Sequence, residues 1–417
     1  MKSIKDKLPQ AGYRQHLRPS GNTMIQVAHE REDFSLVLGG PLYQLMLRSG
    51  LIQPPLGHLA WRIVVMTAIA WLPLVPFTIF AGRFAAGVRV PFLYDCEVHT
   101  RLLFSLPLMI LAELVVYGRM RLIGAEFEER QIITGRARLR FDDVLSSAMR
   151  LRNSAPIEFA LLLIVIFAGR YVWQESIALH SDTWYATVTP QGQSHTAAGR
   201  WYTFVSLPIF QFVLLRWYYR IFIWFRFLFQ VSRLELNLIP LHPDRRCGIG
   251  FLGTVATAFA PLLMAHSGVV AGSIANRILH EGATLPNYKY EILGLAVFLL
   301  ALVLGPLCVF TPNLHAARLA GLRTYGRLAS DYVLDFADKW AQGPIAPNGE
   351  HILGSADIQS LADLGNSFSI ISEIRLVPFG KEALVQFLLA IILPLVPLAF
   401  TMFSLEELLK RLLSAVL

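Results

Sequence analysis

The chain alternates between long apolar runs and polar, arginine-bearing connections. Runs of about 17–25 predominantly apolar residues, the length a spanning helix needs, occur at about 60–82, 102–118, 157–173, 202–224, 251–274, 291–311 and 383–403. About 59 mostly polar residues precede the first run, so it is expected to stay as a first transmembrane helix and not to be cleaved as a signal peptide. The pattern predicts an all-α polytopic membrane bundle of about seven spans: three consecutive hairpins and a lone last helix. Residues 1–59 form an N-terminal segment with a short interfacial helix, and 60–311 the six-helix bundle. Residues 312–381 form a cytoplasmic helical segment, and 382–417 the last span with a terminal helix begun by the Ser404–Glu407 capping box.

Positive charge orients these runs. Seven lysines and arginines from Lys2 to Arg48 precede the first run, eight lie between Arg119 and Arg152, four between Arg226 and Arg246, and six between Arg318 and Lys381. The alternate connections hold three (Arg83, Arg89, Arg101), two (Arg170, Arg200) and two (Arg277, Lys289). Lys and Arg are retained on the cytoplasmic side, so the N-terminus is expected inside and the tail after Phe403 outside.

Composition agrees. Of 417 residues 54% are apolar and only 16% charged, against about a quarter charged in soluble proteins, and mean hydropathy is +0.50. Disorder is excluded and a soluble enzyme disfavoured. The three cysteines fall outside (Cys96), inside (Cys247) and within a span (Cys308), so no disulfide is expected. The net charge of +8 is a topology signal with an attraction to anionic inner-leaflet lipids. No basic stripe is interleaved with stacking aromatics, so no nucleic-acid partner is expected.

Two hairpins read as copies. Ile79-Phe80-Ala81-Gly82-Arg83 recurs as Ile166-Phe167-Ala168-Gly169-Arg170, and Ser105-Leu106-Pro107 with Tyr117 and Arg119 recurs as Ser206-Leu207-Pro208 with Tyr218 and Arg220. Transport folds are often built by such duplication. Prolines fall inside most runs, at positions 73, 76, 107, 208, 261, 306, 394 and 397; each removes a backbone donor and bends its helix.

Within the runs, Glu113 and Arg216 lie at equivalent depth. Charges there face the bundle interior and pair, so a Glu113–Arg216 pair is expected, as a coupling carboxylate with its counter-charge or as a structural brace. The brace is preferred, because Arg216 and Arg220 lie near enough to the inner interface to snorkel. His266 is a candidate proton relay, weighed against a histidine hydrogen-bonded to a carbonyl of a neighbouring helix. Before the fifth run, His242, Asp244, Arg245, Arg246, Gly248, Gly250 and Gly253 stand close together. No strand precedes this G-x-G-x-x-G, so it fails as a dinucleotide fingerprint. Glycine amides at a helix start beside two arginines suit an anion instead, such as a phospholipid headgroup, with Asp244 capping the helix or holding His242. Asp95, Cys96, Glu97, His99, His180, Asp182 and His195 match no metal-ligand spacing and read as solvated loop polarity. No metal or cofactor is expected.

Taken as a set, Leu38-Gly39-Gly40-Pro41-Leu42-Tyr43, the His242–Gly253 run, Asp357-Ile358-Gln359-Ser360-Leu361-Ala362-Asp363-Leu364, Arg375-Leu376-Val377-Pro378-Phe379 and Glu406-Glu407-Leu408-Leu409-Lys410 resemble a family of uncharacterised bacterial polytopic inner-membrane proteins. The likeness runs from about residue 35 to the end and departs at Cys247, where a small residue, usually glycine, is expected. The resemblance implies a bacterial inner membrane and no activity. Movement of a small solute, ion or lipid leads the functional readings. A non-transporting scaffold or sensor, whose cytoplasmic 312–381 segment docks a partner, comes second; beside membrane lipids, the partners considered are a cytoplasmic protein or a homo-oligomer. An enzyme acting on phosphorylated lipid through His242, Asp244, Arg245 and Arg246 comes third.

Overall fold

The computed structural model describes residues 34–51, 53, 56–169, 182–189, 192–341, 343, 351, 352 and 354–402. A short helix α1 (Pro41–Arg48) opens them. The first run forms α2 (Leu59–Trp71) and α3 (Leu74–Phe80), broken at Pro73. The second forms α4 (Cys96–His99), a π-helical turn at Thr100–Ser105 and α5 (Leu106–Met120), which leads into α6 (Ile123–Glu129). After α7 (Ala137–Arg152), the third run appears as α8 (Ala155–Ile164) with a π segment to Gly169. The described part of the next connection is a two-stranded antiparallel hairpin, β1 (Ala186–Thr189) and β2 (Gly192–His195), an addition to the all-α expectation.

The fourth run is α9 (Ala197–Trp201), a π turn at Tyr202–Ser206 and the 25-residue α10 (Leu207–Val231). The fifth is α11 (Phe251–Ala256), a 3-10 turn and α12 (Ala260–Glu281). The sixth, α13 (Lys289–Leu304), passes through a 3-10 stretch at Gly305–Phe310 into α14 (Thr311–Trp340), against which α15 (Ala356–Ser372) folds back. The last run is α16 (Lys381–Ile392), a 3-10 turn and α17 (Val396–Ala399). The Ser404–Glu407 cap lies outside the described residues.

Among the described residues, five helical stretches are long and apolar enough to cross a membrane: Leu59–Phe80, Cys96–Glu129, Phe251–Glu281, Leu285–Trp340 and Lys381–Met402. The third run falls short of that length as Ala155–Phe167. The fourth is long enough, but α10 carries Arg216, Arg220 and Arg226.

Helix geometry changes where the prolines stand. Pro107 and Pro208 each follow a π turn, Pro261 follows a 3-10 turn, and Pro306 and Pro394 start 3-10 turns. A residue without an N–H fits where the i→i−4 ladder has already been interrupted.

The two segments whose sequences repeat share local geometry. Asp95 and Thr196 cap α4 and α9 by accepting from Val98 N and Gly199 N. A π turn follows in each copy and ends at a serine with no solvent exposure. Ser105 Oγ donates to Ala265 O at 2.8 Å and Ser206 Oγ to Ala70 O at 2.5 Å, so each copy clasps another apolar helix at the same register. Trp217 Nε1 donates to Met109 O at 3.0 Å and ties the two copies together.

Candidate functional site

Five charged side chains meet inside the apolar bundle. Arg62 on α2, Glu113 on α5, Glu158 on α8, and Arg216 and Arg220 on α10 are all at most 9% exposed. Glu113 Oε2 lies 2.7 Å from Arg62 Nη2, and its Oε1 lies 2.8 Å from Arg220 Nη1. The expected Glu113–Arg216 pair is therefore replaced. Arg216 Nε lies 3.2 Å from Glu158 Oε1, while Arg220, expected to snorkel, is 3% exposed and stacks over Trp217.

Register explains the exchange. Arg220 lies four residues beyond Arg216 on α10, one turn further along the same face, and reaches the carboxylate of the neighbouring helix. Arg62 and Glu158 were signalled by the same feature as Glu113, a charge inside an apolar run. Each stands within the first turn or so of its helix, where a charge reads as boundary polarity.

The N-terminal segment closes this cluster. Leu42 N donates to Glu158 Oε2 at 2.9 Å, Arg216 Nη2 donates to Gly39 O at 3.1 Å, and Arg152 Nη1 donates to Ser35 O at 2.6 Å. Gly40 has φ +88°, and a Cβ there would lie 2.6 Å from Glu158 Oε1. Only glycine allows both the turn and the approach. A void of about 20 Å³, the room of one water, lies between Arg62, Glu113 and Arg216. Three arginines face two glutamates, and among the described residues Arg62 Nε and Arg220 Nη2 have no hydrogen-bond partner.

The turn at 242–253 holds an anion, and it is the protein's own. Asp244 Oδ1 accepts from Arg246 N at 2.8 Å and Gly248 N at 3.2 Å, and Oδ2 accepts from Gly250 N at 2.9 Å. Arg245 and Cys247 at φ +54° and +55° curl these amides into a concave nest. A Cβ at position 250 would lie 2.8 Å from Asp244 Oδ2. The expected headgroup site on Gly248 and Gly250 is thus filled from within. Partial burial pushes the Asp244 carboxyl up, but the three amides and His242, whose Nδ1 lies 2.9 Å from Oδ1, outweigh it and hold it below the usual carboxylate range. Burial, with Asp244 nearby, pushes the Cys247 thiol up to about 12.

The two arginines are engaged as well. Arg245 pairs with Glu373, and its carbonyl accepts from Arg375 N at 2.9 Å. Arg246 Nη1 donates to Asp244 O at 3.3 Å. Gly253 lies so close to the 375–379 motif that a Cβ would stand 2.6 Å from Pro378 O. Two motifs far apart in sequence form one joint between α11 and α16.

His266 Nδ1 contacts Leu262 O at 2.7 Å and its Nε2 contacts Tyr218 Oη at 3.0 Å. A carbonyl only accepts, so Nδ1 carries the proton and Nε2 accepts from the phenol. The carbonyl belongs to the histidine's own helix, one turn back, and the neighbouring helix supplies the Tyr218 hydroxyl where a carbonyl was expected.

Of the residues read as solvated loop polarity, Asp182 is exposed, but Asp95, Glu97 and His99 are built into the structure. Asp95 is 3% exposed and accepts from Trp184 Nε1 at 2.7 Å and Asn276 Nδ2 at 2.8 Å. Glu97 pairs with Arg101, which also donates to Tyr202 Oη. His99 Nδ1 accepts from Trp71 Nε1 at 3.1 Å and Nε2 lies 2.9 Å from Phe92 O, so both ring nitrogens are engaged. Among the described residues no group of three or more His, Cys, Asp or Glu is placed to hold a metal ion; His180 lies outside them.

On the 312–381 segment, α14 and α15 are pinned at both ends. Arg318 Nη2 donates to Ser372 O at 2.8 Å near one end. At the other, Lys339 Nζ lies 2.7 Å from Asp357 Oδ2, which also accepts from Trp340 Nε1 at 3.2 Å. The lysine and indole hold the Asp357 carboxyl below its ordinary value. Leu328, Val333, Leu334 and Ile358 remain exposed on this hairpin.

No family model, curated protein or solved structure matches the chain.

Proposed function

We propose that this chain is a multi-pass bacterial inner-membrane protein of seven spans with a cytoplasmic N-terminus. It works as a non-transporting scaffold or sensor, and its α14–α15 hairpin is the docking element for a cytoplasmic protein or a second copy. One observation carries this reading. Glu113, the carboxylate best placed to serve a transport path, is held by two arginines beside a void of only about 20 Å³.

Two further features support it. At 1.5 Å per residue the 30 residues of α14 extend about 45 Å, with the apolar positions 328, 333 and 334 uncovered. The nest has consumed Asp244 and holds His242, which takes support from the lipid-enzyme reading. The duplicated hairpins and proline-marked breaks are what a transport reading would rest on.

Photo-crosslinking groups placed at Leu328 and Leu334 in cells test the proposal. A discrete protein adduct at both, absent from the same group at Leu163 on α8, is expected. Lipid adducts alone at all three sites, or solute flux through the reconstituted protein that Glu113→Gln alters, would overturn it. Cysteine accessibility from outside at position 193 but not 334 checks the topology.

A further inference from the structure

A groove of about 750 Å³ runs between α1, α2, α8 and α10. Its walls are apolar, with Leu45, Phe159, Leu162 and Phe212 among them, and its charged members are Arg48 and Glu158. Leu45 and Phe159 are more than 60% exposed, so the groove is open along its length. It lies against apolar helices of the bundle, where the medium that fills an open apolar groove is acyl chain.

The charges around the groove favour one kind of lipid. Glu158 is already matched by Arg216 and by Leu42 N. Arg48 is exposed in the last turn of α1 and has no ion pair among the described residues. Leu42, Met66 and Val213 line both this groove and the small void behind it. Past that one layer of side chains stand Arg62, Arg216, Arg220 and Glu113; with Glu158 of the groove wall counted in, the cluster has an excess of one positive charge, and among the described residues two of its guanidinium N–H groups are unpartnered. An apolar channel beside a free arginine and a net-positive wall complements an acyl chain that ends in a negative headgroup.

We propose that this groove seats one acyl chain of an anionic phospholipid, with its phosphate held by Arg48 in the field of the Arg62–Arg216–Arg220 cluster. The site is distinct from the 242–253 turn, and it stands whether or not the hairpin docks a partner.

Native mass spectrometry of the full chain in detergent tests this, with phosphatidylglycerol, phosphatidylcholine and free fatty acid of the same chain length as probes. Wild type is expected to retain phosphatidylglycerol about fivefold better than phosphatidylcholine, the factor that one basic residue near a lipid surface supplies. Arg48→Gln should bring that preference close to one, whereas Arg121→Gln, an exposed arginine elsewhere, should leave it in place. Leu162→Trp, which narrows the groove, should lower retention of both phospholipids. If it does not give monodisperse protein, Arg48→Gln decides alone. Equal retention of the two phospholipids by wild type, an unchanged preference in Arg48→Gln, or fatty acid displacing phosphatidylglycerol at equal concentration would each overturn the proposal.

Discussion

Arg101 and Tyr202 occupy the same position in two copies of one hairpin, and they bond to each other. Each is the sixth residue after its helix cap, Asp95 or Thr196. The contact joins the two segments at matching places in their repeated sequences. The copies have also diverged there. Glu97 neutralises Arg101 in the first, whereas the second has Ala198 at the matching place.

Tyr202→Phe removes one acceptor from a buried guanidinium and leaves its carboxylate partner. A loss of about 1–3 kcal/mol is expected, read as a lowered unfolding midpoint in detergent. An unchanged midpoint would mean that the contact contributes nothing to holding the copies together.

Glu113→Gln should be far more damaging. It leaves Arg62 and Arg220 without the charge that both face, and breaking a buried pair costs roughly 3–5 kcal/mol. Glu128→Gln on α6, whose partner Arg138 is 2.9 Å away but half exposed, should cost about 0–1 kcal/mol. Thermal unfolding of the two variants side by side checks the difference.

Asp244 gives a pH signature. Its folded carboxyl lies below the unfolded value, so its contribution is fully present above the ordinary aspartate value of about 3.9 and is lost as pH falls through the folded one. The midpoint of wild type should exceed that of Asp244→Asn at pH 7, and the gap should narrow below about pH 4. A gap that widens on acidification would contradict the assignment of the nest.

Two glycines separate close approach from open space. Gly253→Ala drives a methyl into Pro378 O and Phe379 Cα at 2.6 and 2.8 Å and should cost about 1–3 kcal/mol. Gly365→Ala, on an exposed stretch of α15 with nothing within 4 Å, should gain up to about 1 kcal/mol through helix propensity. Denaturation midpoints of the two variants should move in opposite directions.

The helices and their order were legible because long apolar runs leave little else to form. Pairing inside the cluster was not. Equal depth suggested Glu113 with Arg216, but depth is one coordinate, and which face of α10 meets α5 depends on packing that no single run encodes. Arg62 reads as boundary polarity because it stands in the first turn or so of its helix, and Asp95 looks like loop because its partners, Trp184 and Asn276, lie 89 and 181 residues away. At the 242–253 turn the anion chemistry and the hold of Asp244 on His242 were readable, but not that this carboxylate itself fills the amides. Only the positive-φ backbone at Arg245 and Cys247 shows the chain turning its own carboxylate into the amides.

The five-charge cluster also bears on how the chain is made. A charge inside a spanning helix costs up to about 2.5–3.5 kcal/mol to insert, the cost at the helix centre, and a ribosome delivers these one at a time. In order of synthesis they are Arg62, Glu113, Glu158, Arg216 and Arg220. The running sum goes +1, 0, −1, 0, +1 and never leaves that range. Each glutamate reaches the bilayer with an arginine already present or soon to follow, so at no stage of its birth does the growing bundle shelter more than one unmatched charge.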